Sequence, residues 1–184
     1  MRACLALLIL LTSAGMAQAK LETCQALFRN APAKLGGHTL VARTNYEKKT
    51  RGAGYHLRFD RRRGQVASVF FFDRGRNTFK EKMLATELSV ATSQIYRLRA
   101  EDRNVTDGKV FFDQPDTPVL GLFGLGFVHL EYDNRTRQHD FITLGVVDGC
   151  LVKLIYSSRG SRGFATRRFN TVLDDLLAYV ADTP

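Results

Sequence analysis

Apolar and polar residues alternate strictly along Tyr55–Asp60, with Tyr55, Leu57 and Phe59 set against His56, Arg58 and Asp60. A period of two predicts a strand with one buried face. Arg61-Arg62-Arg63-Gly64 then turns the chain, and Gln65–Asp73 returns as a second strand through Val66, Val69, Phe70, Phe71 and Phe72. Thr39–Thr44 is a candidate strand before this pair, separated from it by a polar loop over Asn45–Gly54. Later, Asp107-Gly108 reads as a turn and Val110-Phe111-Phe112 as a short strand. Pro115–Pro118 is irregular, and Phe127–Asp133 alternates again. The clearest hairpin is Phe141–Val147 and Cys150–Ser157 around Asp148-Gly149, a pair suited to the positive φ angles of a two-residue turn.

Three segments carry the other period. Leu21–Asn30 predicts a short helix, with Cys24, Leu27 and Phe28 on one side and Pro32 as its stop. Thr78–Leu98 predicts a long one. Thr78-Phe79-Lys80-Glu81 fits a capping box, and Met83, Leu84, Leu88, Ala91, Ile95 and Leu98 follow at steps of three and four. After a basic loop over Ser157–Gly163, the residues Phe169, Val172, Leu173, Leu176, Leu177 and Val180 form the stripe of a C-terminal helix. Hairpins join neighbouring strands, so the sheet is expected to be mainly antiparallel and the fold class α+β.

The first nineteen residues stand apart from this pattern. Arg2, the apolar run Ala3–Leu11 and Ala17-Gln18-Ala19 have the layout of a cleaved secretory signal. The apolar run is about half of the ~20 residues that a membrane-spanning helix needs. The expectation is export, to the periplasm or the extracellular space, of a single domain over residues 20–184 that does not span a membrane. Cleavage removes Cys4 and leaves Cys24 and Cys150, which in an oxidising compartment read as one disulfide.

Lys and Arg number 27 against 18 Asp and Glu, a formal net charge of +9, one less without Arg2. Inside a cell this would suggest nucleic acid. Outside the cytoplasm the available polyanions are lipid surfaces, envelope polymers and acidic partner proteins, and nucleic acid is not expected. The cations cluster in predicted loops: Lys48-Lys49 with Arg51, Arg61-Arg62-Arg63, Arg74 with Arg76, and Arg159 with Arg162. Arginine forks match phosphate and carboxylate oxygens, so these are the candidate residues for an anion or a partner.

Other chemistry is sparse. His129, Glu131 and Asp133 alternate on one strand face and form a weak metal candidate, with His139 and Asp140 as further donors. The bland alternative is a solvated polar face opposite Val128, Leu130 and Tyr132. No Gly-x-Ser-x-Gly elbow is present. Gly121-Leu122-Phe123-Gly124-Leu125-Gly126 lacks the spacing of a phosphate-cradling loop and leads into a strand, which suggests close backbone packing or a pocket wall. No cofactor motif occurs.

The strand Val69-Phe70-Phe71-Phe72-Asp73 leading into the Thr78–Leu98 helix resembles the PsbP-like family and small exported bacterial domains of unknown function. So does the hairpin Phe141–Tyr156 leading into the Phe169–Val180 helix. The resemblance covers most of residues 20–184 and rests on element order. It implies an αβα sandwich with a bent antiparallel sheet, a long mid-chain helix and a C-terminal helix. Members of the family include photosystem subunits and protein binders, with no catalytic residues in common, so none is carried over. The expected function is non-enzymatic binding of a protein partner or an anionic envelope component. A small-ligand carrier, or a hydrolase with an unrecognised site, is the alternative.

Overall fold

The computed structural model describes residues 22–62, 64–76, 78–101, 105–113, 122–132 and 136–183, and of residues 105–106, 110–113, 122–125 and 132 the backbone alone. Residues 1–19, read above as an export signal, Arg63, Pro115–Pro118 and Asp133 lie outside the described residues.

Helix α1 (residues 22–29) precedes four strands: β1 (Lys34–Leu35), β2 (His38–Asn45), β3 (Tyr55–Arg61) and β4 (Gln65–Phe72). Helix α2 (Glu81–Glu101) leads to four more: β5 (Val105–Asp113), β6 (Leu122–Tyr132), β7 (Arg137–Val147) and β8 (Cys150–Arg159). Helix α3 (Arg162–Ala181) closes the chain. All strand pairs are antiparallel, in the order β1-β2-β3-β4-β8-β7-β6-β5. Two four-stranded meanders therefore join side by side through β4 and β8.

Residue alternation decides the layers. Along β8, Cys150, Val152, Leu154 and Tyr156 face one side and pack with Leu27, Phe169, Val172 and Leu176 of α1 and α3. Leu151 and Ile155 face the other side, where Leu84 and Leu88 of α2 cover them. The result is the expected α+β fold, an αβα sandwich with a mid-chain and a C-terminal helix. Register breaks in β2 and β6 mark bulges, which bend the strands that carry them.

Cys24 of α1 and Cys150 of β8 form a disulfide, with Cα atoms 5.4 Å apart and both residues buried. Phe28 stacks on Tyr55 at 4.8 Å. Arg43 donates to the C-terminal carbonyls of α1, at 2.7 Å to Phe28 O and 3.0 Å to Ala31 O, and the Tyr179 hydroxyl donates to Leu27 O. A short helix with little stability of its own is thereby fixed at both ends.

Asp148 and Gly149 turn the late hairpin as expected, with φ of 45° and 78°. Several boundaries differ from the sequence reading. Helix α2 begins at Glu81, with Lys80 O accepting from the Met83 and Leu84 N–H groups, so Thr78 is not its cap. Leu98, expected on the apolar stripe, is 60 % exposed. Asp107-Gly108 lies inside β5 and makes no turn. Helix α3 starts seven residues before Phe169, at Arg162, because the Ser161 hydroxyl caps it by accepting from Phe164 N–H. Gly126 belongs to β6, and a side chain there would collide with Thr92 of α2. That position serves close packing of helix on sheet.

Candidate functional site

Some of the basic residues expected in loops lie at the ends of regular elements. Arg61 is the last residue of β3, Arg159 the last of β8 and Arg162 the first of α3. The β4–β8 register sets Val66 opposite Ser157, which places the β3–β4 turn, Arg159 and the start of α3 at one end of the sheet. At the other end, Phe72 pairs with Leu151, and there Arg74 N–H donates to Gly52 O, joining Arg74 and Arg76 to the loop of Lys48, Lys49 and Arg51. Six residue steps along β4 separate the ends by about 20 Å at ~3.3 Å per residue. The structure thus divides the candidate cations into two groups.

At the first end, Arg61 and Arg62 meet Arg168, from the second turn of α3, around a cleft of about 540 Å³. Gly37, Thr39 and Gln65 complete much of its wall. Gly37 lets the Arg61 guanidinium lie against the β1–β2 turn, since a Cβ there would stand 3.2 Å from Arg61 Nη1. Phe164 also lines the cleft, with the Arg168 guanidinium 5.5 Å above its ring centre. Asp60 is the one carboxylate among the described lining residues. Arg58 binds both its oxygens, at 2.8 and 3.1 Å, leaving the three cleft arginines without a carboxylate partner among the described residues.

Polar groups are buried behind this cleft. His38 Nδ1 lies 3.2 Å from Leu35 O and 3.1 Å from Gly36 O, which assigns the ring proton to Nδ1, donating to those carbonyls. Nε2 is buried without a hydrogen-bond partner among the described residues. Burial pushes the His38 pKa below 6.5, and the charges of Arg61 and Arg168 add to the shift. His38 meets the Tyr156 ring edge-on at 5.6 Å, and burial raises the Tyr156 pKa above 10.0.

The other arginines are differently occupied. Arg74 pairs with Glu87 at 3.1 Å and sits over Phe72. Arg76 Nη1 approaches Met83 Sδ at 3.5 Å. Arg162 stacks over Phe127 at 5.0 Å. Of the metal candidates, His129 and Glu131 share a face, but Glu131 pairs with Arg137 at 3.1 Å. His129 instead meets His139, Nδ1 to Nδ1, at 3.2 Å. His139 Nε2 donates to Gly160 O, so its Nδ1 accepts from His129. Asp140 faces the opposite side, held by Ser157 and Arg99. Among the described residues, no three His, Cys, Asp or Glu side chains stand close enough to share a metal ion.

Sequence reading missed His38, Gln65, Phe164 and Arg168. Phe164 and Arg168 are four apart on α3, the spacing of a helical neighbour pair, which was the available signal once the helix start was known.

All four histidines, His38, His56, His129 and His139, have pKa values lowered from 6.5, with burial the first cause in each. The unfolded chain therefore binds more protons, and stability present above pH 6.5 is lost as the pH falls below it. Thermal melts at about pH 7.5 and about pH 5 should show a lower midpoint in acid. An equal or higher midpoint at the lower pH contradicts this.

No family model and no curated protein matches the chain. No described helix is long and apolar enough to cross a membrane.

Proposed function

We propose that this is an exported, non-enzymatic binding protein. Residues 1–19 act as the export signal, cleavage precedes Lys20, and the domain works in the periplasm or outside the cell. Its target is a protein or an envelope component that presents negative charge. The observation that carries this reading is the cleft where Arg61, Arg62 and Arg168 converge while Arg58 occupies the lining carboxylate. Three arginines with no carboxylate paired to them among the described residues favour an outside anion. The buried Cys24–Cys150 disulfide supports the oxidising compartment.

Arg159 and Arg162 at the same sheet end extend the positive surface, whereas Arg74 and Arg76 belong to the far end. Reversing Arg61→Glu and Arg62→Glu together should cut association with the protein's own envelope fraction by about tenfold or more at low salt. Arg74→Glu with Arg76→Glu should do less. Co-sedimentation at low and high salt measures both, and unchanged association of the first variant overturns the reading.

A further inference from the structure

We propose that the basic cleft is a phosphate site: Arg61 and Arg168 clamp a phosphomonoester dianion, Arg62 closes the rim, and the remaining space holds the sugar or polyol that carries the phosphate. The inference rests on the anion-binding reading and narrows it.

The number of forks decides between anions. One guanidinium balances the single charge of a carboxylate and contacts both its oxygens, as Arg58 does for Asp60 through two parallel contacts. Here three arginines, from the end of β3, the β3–β4 turn and α3, border one space. An anion with more than two oxygens and more than one charge uses all three better than a carboxylate does. A phosphomonoester has three terminal oxygens and close to two charges near neutral pH.

The surroundings fit such a group. Phe164 supports the Arg168 guanidinium from below, which limits its freedom and favours a fixed fork over a floating charge. Neutral hydrogen-bonding groups border the same space. Thr39 supplies an exposed hydroxyl. Gln65 Nε2 donates one proton to Arg62 O at 3.3 Å and keeps a second for a ligand oxygen. The volume of about 540 Å³ is within the range of small-molecule sites and exceeds what one tetrahedral anion fills. Hydroxyl-rich cargo beside the phosphate matches Thr39 and Gln65.

The same chemistry occurs on free sugar phosphates and on lipid headgroups, and the test separates them. Calorimetric titration of the full domain should show glucose 6-phosphate binding about tenfold tighter than gluconate, whose head is a carboxylate. Arg61→Lys and Arg168→Lys keep the charge and lose the fork, so each should weaken glucose 6-phosphate by about tenfold with an unchanged melting curve. The His38 imidazole resonances should shift on titration, because that ring feels Arg61 and Arg168. Competition by phosphatidylcholine vesicles containing phosphatidic acid identifies a lipid source. Binding of the soluble sugar phosphate without vesicle competition identifies a free one, and either supports the site.

Equal affinity for gluconate, unchanged affinity in both lysine variants, or no binding of any phosphate probe overturns the proposal. If the phosphates fail while Arg61→Glu with Arg62→Glu still abolishes envelope association, the phosphate assignment falls alone. If that association also survives charge reversal, the wider anion-binding reading falls with it.

Discussion

Replacing Cys24 and Cys150 together by alanine should lower the unfolding free energy by about 5 kcal/mol. The bridge links residues 126 apart in sequence. In the chain-entropy account, a closed loop of about this length restricts the unfolded chain by ~5 kcal/mol. A domain of this size has roughly 5–15 kcal/mol in total, so the loss is a large share of its stability. The location makes the effect sharper. Cys24 is 1 % exposed and Cys150 fully buried, both within the main core cluster. Without the bridge, α1 is held by Leu27 in the core, the Phe28–Tyr55 stack, and the contacts from Arg43 and Tyr179 to its last carbonyls. Urea unfolding of the alanine pair against the oxidised parent reads the difference. A change below about 1 kcal/mol would show that the unfolded chain is already compact enough for the bridge to add little. Reductant alone is expected to act slowly on the native protein, because neither sulfur is accessible before α1 detaches.

Local patterns revealed most elements and few of the meetings between them. The alternation of Tyr55–Asp60 gave both the strand and its buried face, and Tyr55, Leu57 and Phe59 are indeed the buried residues. Asp148-Gly149 specified its turn through φ preferences that few other pairs meet. Cys24 and Cys150, the two cysteines outside residues 1–19, pointed to the bridge by count alone. Element ends were less legible. The capping signal at Thr78 was overridden by the chain reaching α2 three residues later, whereas the Ser161 cap extended α3 backwards over residues read as loop. The cleft was hidden for a different reason. Arg61 and Arg168 are brought together by pairing β4 with β8, the strands that join the two meanders, and by α3 folding back over that seam. Neither step has a local sequence signal. A run such as Arg61-Arg62-Arg63 shows where charge lies, but its partner in space depends on topology.

Gly36→Ala should destabilise the domain by about 3 kcal/mol and weaken binding in the cleft as well. Gly36 and Gly37 form the β1–β2 turn with φ of 55° and 74°. Gly36 N–H donates to Asp175 Oδ2 at 2.7 Å, tying the turn to α3. A Cβ on Gly36 would stand 2.5 Å from Val172 Cγ2, 2.8 Å from Val172 Cα and 2.9 Å from Val172 N. The Cγ2 could yield by rotation, but the helix backbone cannot, so the turn must lift away. That movement breaks the bond to Asp175 and shifts Gly37 and Thr39, which border the cleft opposite Arg168. It also disturbs the carbonyls of Leu35 and Gly36, to which His38 donates. Gly64→Ala provides the comparison. Gly64 has a similar φ of 70°, and a Cβ there meets nothing within 4 Å, so this variant reports backbone strain alone, about 1 kcal/mol. The excess loss in Gly36→Ala then measures the contact between turn and helix. Equal melting points for the two variants would mean that the turn can leave α3 without cost, and that the cleft wall formed by Gly37 and Thr39 is not held by this contact.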